Sequence, residues 1–353
     1  MIEEKKRCIG LIFGGYSNEH EVSISSAKTV FEAFNSEINK QRYKIKAFYI
    51  NKYGEWIDSD LSEKILLDQI DHNNIKKSNQ GKINFLDGID FQYIDVWFPL
   101  LHGFNGEDGS IHGLIKFTKK PLVGCGILGS AIGMDKIMMK TIFSNLKIPQ
   151  VKYLAFQNED LNDIKVKNRL ISEIVKNLNF PVFVKPSNSG SSLGISKVIN
   201  ESEILHAIEK AWEIDPRFLV EEGLEVREIE CGIIGNSKLL TSEIGEVTYE
   251  SDWYDYDSKY NSNNNNISIP AEIDAKITKQ IKEIAIQSCR ALNIFGFARV
   301  DFFLEKSSNK ILLNEINTIP GFTKKSMFPM LWKASGLNIE QLVAKLIDIS
   351  LDL

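Results

Sequence analysis

Short, almost wholly apolar runs alternate with amphipathic stretches through the first third of the chain. Residues 8–13, 43–50 and 94–101 read as strands, and residues 25–35 carry the three-to-four-residue apolar spacing of a helix. Residues 64–81 are polar and irregular. The alternation predicts an α/β unit, a parallel sheet with helices on its faces, whose ligands sit beyond the carboxyl ends of the strands. A second unit shows a helix over 134–146, strands over 180–185 and 195–198, and a helix over 201–212. A third unit carries strands over 228–234 and 297–304. Between them Ile273, Ile277, Ile281 and Ile284 mark a helix, with Pro270 at its start. We place the units at 1–124, 125–220 and 221–353, the last of α+β character. Residues 248–268 hold no sustained period, but Trp253, Tyr254, Tyr256 and Tyr260 argue against a fully solvated tail, and the segment reads as a mobile lid.

Composition narrows the chemistry. The chain has 353 residues, 43% of them hydrophobic and 25% charged, as in a soluble protein of two or three domains. A net charge of −5 argues against a nucleic-acid partner. No run approaches a membrane span, and the N-terminus lacks the long apolar region of a signal peptide, so a cytoplasmic location is expected. The four cysteines lie far apart, and the histidines form no HExxH pair. A metal held by this chain would therefore take oxygen ligands, which points to Mg²⁺ rather than zinc.

The strongest local signal is FARVDFFLE, a turn, and ILLNEIN, which reads as a hairpin. With the turn centred near Ser308, Asp301 lies opposite Glu315 and Arg299 opposite Asn317. Directly opposed carboxylates destabilise a hairpin unless a cation compensates them, so Asp301, Glu315 and Asn317 are the candidate metal ligands. A second signal is FPVFVKPSNSGSSLG, where a strand ends at Lys185 and a loop of small residues, 187–194, follows. Backbone N–H groups and hydroxyls in such a loop can approach anionic oxygens closely.

Two weaker signals stand at strand ends. Gly14 and Gly15 precede the polar run 17–21, where Glu19 and Glu21, taken alone, read as capping acids of the next helix. His102 is followed by Gly103, Gly106 and Gly109; a single histidine of this kind is more often structural than catalytic. Residues 124–129 match GxGxxG, but no acidic residue follows about 20 positions on. We read that stretch as a turn into the helix carrying Lys136, which argues against a dehydrogenase.

Taken in order, GGYSNEHEVSISSA, LHGFNGEDGSIHG, GMDK, FVKPSNSGSSLG, VEEGLEVREIEC, YDYDSKY, ARVDFF and NEINTIPGFTKKSMFP resemble the D-alanine–D-alanine ligases of the ATP-grasp superfamily. The motifs span nearly the whole chain. The resemblance implies a three-domain fold with an N-terminal parallel-sheet domain. It implies ATP as co-substrate, two Mg²⁺ or Mn²⁺ ions on Asp301, Glu315 and Asn317, D-alanine as substrate, and a homodimer. Lys136 and Lys185 would hold the ATP phosphates, with Ser191 and Ser192 in the loop that closes over them. Glu221 and Glu228 would contact adenine and ribose, and Lys259 on the lid would reach the γ-phosphate. Glu19, His102, Ser191 and Tyr260 would serve the first D-alanine, Glu19 at its amino group. Arg299 and the Gly321 N–H would stabilise the oxyanion, and Ser326 and Met327 would line the acceptor site. His112 departs from the family's usual glutamine. The lid sequence favours an amine acceptor, with D-serine as the alternative to D-alanine.

Overall fold

Strands β1 (Arg7–Gly14), β2 (Tyr43–Ile50), β3 (Trp56–Ile57), β4 (Lys82–Ile83) and β5 (Val96–Pro99) form one sheet in the order β4-β3-β2-β1-β5. The computed structural model describes residues 5–75, 82–83, 91–157, 159–248 and 266–352. Strand β1 runs parallel to both β2 and β5, as expected, while β3 and β4 add an antiparallel edge. All of β1 after Arg7 is buried, the mark of a parallel strand covered on both faces. Helix α1 (His20–Phe34) begins five residues earlier than its apolar spacing suggested. Helix α2 (Ser59–Leu66) falls where an irregular stretch was expected to begin. Its start is fixed by the Asp58 side chain, which accepts the Leu61 N–H. Strand β5 is shorter than the apolar run 94–101, although Leu100 and Leu101 are buried and Leu100 still donates its N–H to the Ile12 carbonyl of β1 at 2.8 Å.

Helix α3 (Ser110–Lys116) leads to α4 (Ile127–Met134), which was not expected, and then to α5 (Lys136–Asn145), where a helix was expected over 134–146. They break at Asp135, whose carboxylate accepts the N–H groups of Ile137 and Met138, each at 3.1 Å, and so starts the second helix. The central unit packs α6 (Ile164–Asn177) and α7 (Ile204–Trp212) on an antiparallel sheet. Its strands are β6 (Tyr153–Gln157), β7 (Val182–Pro186), β8 (Ser196–Val198) and β9 (Arg217–Glu222), in the order β6-β9-β7-β8. Strand β9 crosses the 220/221 boundary drawn from sequence.

The third sheet holds β10 (Val226–Gly235), β11 (Leu239–Thr248), β12 (Asn266–Ser268), β13 (Gly296–Glu305) and β14 (Ile311–Asn317), in the order β12-β11-β10-β13-β14. Helix α8 (Ala275–Ala291) covers it, starting at the Asp274 cap rather than at Pro270. Phe143 and Met139 of α5 enter the same core. Helices α9 (Met327–Ala334) and α10 (Ile339–Leu351) return to the N-terminal sheet. Phe297, Phe322 and Phe328 pack there with Phe98 in one buried cluster, so the first and last units share a core. Of the lid expected over 248–268, Thr248 ends β11 and 266–268 form β12, while residues 249–265, with Lys259 and Tyr260, lie outside the described residues.

Candidate active site

A cavity of about 900 Å³ opens between the three sheets, and Glu19, Glu107, Lys136, Lys185, Arg299 and Asp301 are among its walls. It lies beyond the carboxyl ends of β1 and β5, where an α/β unit places its ligands. Three corners of this cavity differ in chemistry.

The acidic corner is the β13–β14 hairpin. Its register pairs Arg299 with Asn317 and Asp301 with Glu315, as the sequence predicts, and a bulge follows Asp301. Asp301 accepts two parallel hydrogen bonds from Arg299, both at 2.7 Å, and one from the Asn317 amide at 2.9 Å. The neighbouring strand β10 sets Glu230 opposite Asp301, and Arg299 Nε lies 2.9 Å from Glu230 Oε2. Burial works against the guanidinium charge, but Asp301 and Glu230 outweigh it and hold Arg299 well above its ordinary pKa. Asp301, Glu315 and Glu230 thus converge near one guanidinium, with the Asn317 amide beside them. This all-oxygen, net-acidic set fits a hard divalent cation such as Mg²⁺. Glu230 was not singled out from sequence, although EIEC lies in a quoted motif. Only the long-range pairing of β10 with β13 reveals it.

The lysine corner joins β7, β9 and α5. Glu221 is buried between two lysines, with Lys185 Nζ at 2.5 Å and Lys140 Nζ at 2.6 Å. Burial raises the Glu221 pKa, but the two ammonium groups more than offset this and bring it down to about 2. Lys185 is raised on balance, its desolvation outweighed by Glu221 and, farther off, Glu315 and Glu228. Lys136 opens α5, donates to the Ser189 carbonyl and lies 4.0 Å from Glu315. Asp135 ties this helix start to the small-residue loop, accepting the Ser187 hydroxyl at 2.7 Å and Arg217 at 2.6 Å. In that loop Ser191 and Ser192 adopt φ of +48° and +60°, a left-handed conformation that costs energy for residues other than glycine and recurs at binding sites. Ser191, Ser192, Glu221 and Glu228 all line the cavity. Lys140 went unnoticed in the sequence, although its spacing of four from Lys136 puts both on one side of a helix.

The third corner gathers the loops after β1 and β5. Glu19 occupies the N-cap position of α1, yet its side chain makes no capping hydrogen bond. Its carboxylate instead lies over two glycines: a Cβ on Gly103 would be 2.7 Å from Glu19 Oε2, and one on Gly190 would be 3.1 Å away. The first-strand acid thus meets the 187–194 loop at Gly190. Glu107 accepts the N–H of Gly103 at 3.0 Å and of Ile319 at 2.9 Å, clamping two loops 212 residues apart. Burial first, then Glu19, pushes the Glu107 carboxyl up to about 7 against those two N–H groups.

His102 is not among the residues lining the cavity. Its Nδ1–H donates to the Ile319 carbonyl at 2.8 Å, and its Nε2 accepts from the Ser26 hydroxyl at 3.0 Å. Ser26 Oγ in turn accepts the Phe322 N–H at 3.0 Å. Burial above all lowers the His102 pKa, so the ring is a neutral strut behind the 319–322 segment. That segment presents Gly321, where a Cβ would meet Ser326 Oγ at 2.9 Å. Ser326 Oγ accepts the Thr323 N–H at 3.0 Å, and both Ser326 and Met327 face the cavity. His112 is buried on α3, 3.4 Å from Ser130 Oγ, with its pKa lowered by burial to about 4; it belongs to the packing of α3 on α4.

A lysine-rich corner, an acidic corner and an acid set over two glycines thus meet in one cavity between two antiparallel sheets and a mainly parallel one. Residues 8–125 match the D-ala D-ala ligase N-terminus family and residues 142–348 the D-ala D-ala ligase C-terminus family. A D-alanine–D-alanine ligase of Prochlorococcus marinus strain MIT 9312 is 83% identical, with 100% of each chain covered. Another, from strain NATL2A, is 48% identical over 98% of each. Among solved structures, the VanG D-Ala:D-Ser ligase of Enterococcus faecalis superposes with a TM-score of 0.82 at 35% identity, covering 98% of this chain and 100% of that one. The D-alanine–D-alanine ligase of Coxiella burnetii gives 0.81 at 31%, covering 98% and 94%. This chain belongs to the D-alanine–D-alanine ligase family.

Proposed function

We infer that the chain joins two D-alanines into D-alanyl-D-alanine at the expense of ATP, releasing ADP and phosphate, as a step in making peptidoglycan precursors. The observation that carries this reading is the convergence of Glu19, Lys185 and the Arg299–Asp301 pair on one cavity. In the first half-reaction a carboxylate oxygen of one D-alanine attacks the γ-phosphorus of ATP, and ADP leaves. In the second, the amine of the other D-alanine attacks the acyl carbon, loses a proton, and phosphate departs.

Each half-reaction uses residues described above. Lys136 and Lys185 counter the phosphate charge, and the 187–194 backbone, with Ser191 and Ser192, covers it. Glu221 and Glu228 line the nucleoside end. Glu19 receives the ammonium of the first D-alanine. Arg299 and the Gly321 N–H stabilise the negative charge that develops on the carbonyl oxygen, and oriented donors act most strongly where water is kept away. Ser326 offers its hydroxyl to the carboxylate of the second D-alanine. Divalent cations, Mg²⁺ or Mn²⁺, would be held by Asp301, Glu315 and Asn317 and would neutralise phosphate oxygens.

Met327 places a buried thioether at the acceptor side, which gives no partner to a serine hydroxyl and supports D-alanine over D-serine as acceptor. The four cysteines are buried free thiols, in keeping with a cytoplasmic location, and among the described residues no helix is long and apolar enough to cross a membrane. We carry over a homodimer from the family resemblance; light scattering checks it. The activity itself is tested by phosphate release from ATP and Mg²⁺ with D-alanine as the sole amino acid. Release that requires D-alanine supports the reading, and no release overturns it.

A further inference from the structure

We propose that Lys140, a buried residue outside the cavity wall, is a positioning residue that leaves the charge of Lys185 available to the nucleotide phosphates. The inference rests on the phosphate-binding role of Lys185 proposed above. Lys140 Nζ pairs with one oxygen of Glu221 and Lys185 Nζ with the other, at 2.6 and 2.5 Å. The lysine side chains are 2% and 11% exposed, but only Lys185 lines the cavity. Lys140 also lies 5.3 Å from the centre of the Tyr153 ring, a second feature that holds a cation at this place.

Glu221 with Lys185 alone is a neutral pair, and Lys185 further faces Glu228 and Glu315. An incoming triphosphate would then have to compete with buried carboxylates for that ammonium. Lys140 supplies the missing positive charge, so the trio is a net cation whose exposed end is Lys185. Stability alone does not require the trio, since a whole buried ion cluster can commonly be replaced by apolar side chains without loss, and Glu221 keeps Lys185 as its partner when Lys140 is absent. Methionine, of similar length, would fill the same space.

The test is equilibrium binding of adenosine, ADP and ATP to the intact chain with Lys140→Met, Lys140→Arg and the double variant Lys140→Met/Glu221→Gln. The readout is each variant's ratio of adenosine Kd to ATP Kd, which cancels any general damage to the pocket. Lys140→Met is expected to lower this ratio about tenfold or more, and ADP to fall between. Lys140→Arg restores the ratio, and so does the double variant, because it removes the competing carboxylate along with the cation. An unchanged ratio in Lys140→Met would overturn the proposal, as would a double variant no better than Lys140→Met. If Lys140→Met does not fold, the double variant against Glu221→Gln alone decides: equal ratios support the proposal, and a tenfold lower ratio in the double variant sinks it. No D-alanine is present, so this outcome stands apart from that of the ligase assay.

Discussion

Arg299 lies between two carboxylates whose side chains are only 12% and 13% exposed, Glu230 and Asp301, and Arg299→Met leaves both without its charge. Removing one partner of a buried ion pair typically costs about 3–5 kcal/mol, most of it the desolvation of the charge left behind. At roughly 2–4 °C per kcal/mol for domains of a couple of hundred residues, melting should fall by about 6–20 °C, nearer the lower figure in a chain this long. Asp301 is also a proposed metal ligand, so the guanidinium and a divalent cation draw on the same carboxylate. Mg²⁺ should therefore bind the variant's corner more tightly and recover more of its stability than it adds to the parent. A cation at 100 times its Kd contributes about 2.7 kcal/mol, which is within reach of the loss. Turnover should still fall by about 10²–10³ or more, because the cation does not restore the oxyanion donor. Calorimetry across a Mg²⁺ series reads both effects. Equal Mg²⁺ shifts in parent and variant would refute shared occupancy, and an unshifted melting point would refute the buried pairing.

Two further expectations follow from the third corner. Glu107, raised to about 7 from an ordinary value of 4.5, contributes stability that is fully present below about pH 4.5 and lost as pH rises through 7, up to roughly 3 kcal/mol. Urea unfolding between pH 5 and 8 should show that decline in the parent and a flatter profile in Glu107→Gln; the same slope in both would remove Glu107 as its source. Gly103→Ala places a Cβ at φ +70° and 2.7 Å from Glu19 Oε2, so backbone strain of about 1–2 kcal/mol adds to a displaced carboxylate. Steady-state kinetics should show the D-alanine KM raised roughly tenfold, the worth of one charge-assisted hydrogen bond, with the ATP KM little changed. A rise in both KM values alike would point to general loosening instead.

Local periodicity carried the hairpin and lost the residues that support it. The facing of Asp301 with Glu315 follows from a two-residue repeat and a turn, so it was legible in the sequence. Glu230 joins that pair through β10–β13 pairing some 70 positions away, which no window of sequence contains. Glu107 and His102 act through the backbone of residues 319–322, so their roles depend on how distant loops meet. Helix α2 went unseen because eight residues carry little periodic signal, and its visible mark was the cap Asp58. Lys140 is the exception. It lay in plain reach of a helical-wheel argument once Lys136 was placed on α5.

The central claim is that ATP activates a D-alanine carboxylate for attack by a second D-alanine. Supplying D-alanine with ¹⁸O in both carboxylate oxygens and following the released phosphate by mass spectrometry tests it directly. One ¹⁸O per phosphate, in step with D-alanyl-D-alanine formed, is the expected result. Unlabelled phosphate, or labelled phosphate without the dipeptide, would contradict it.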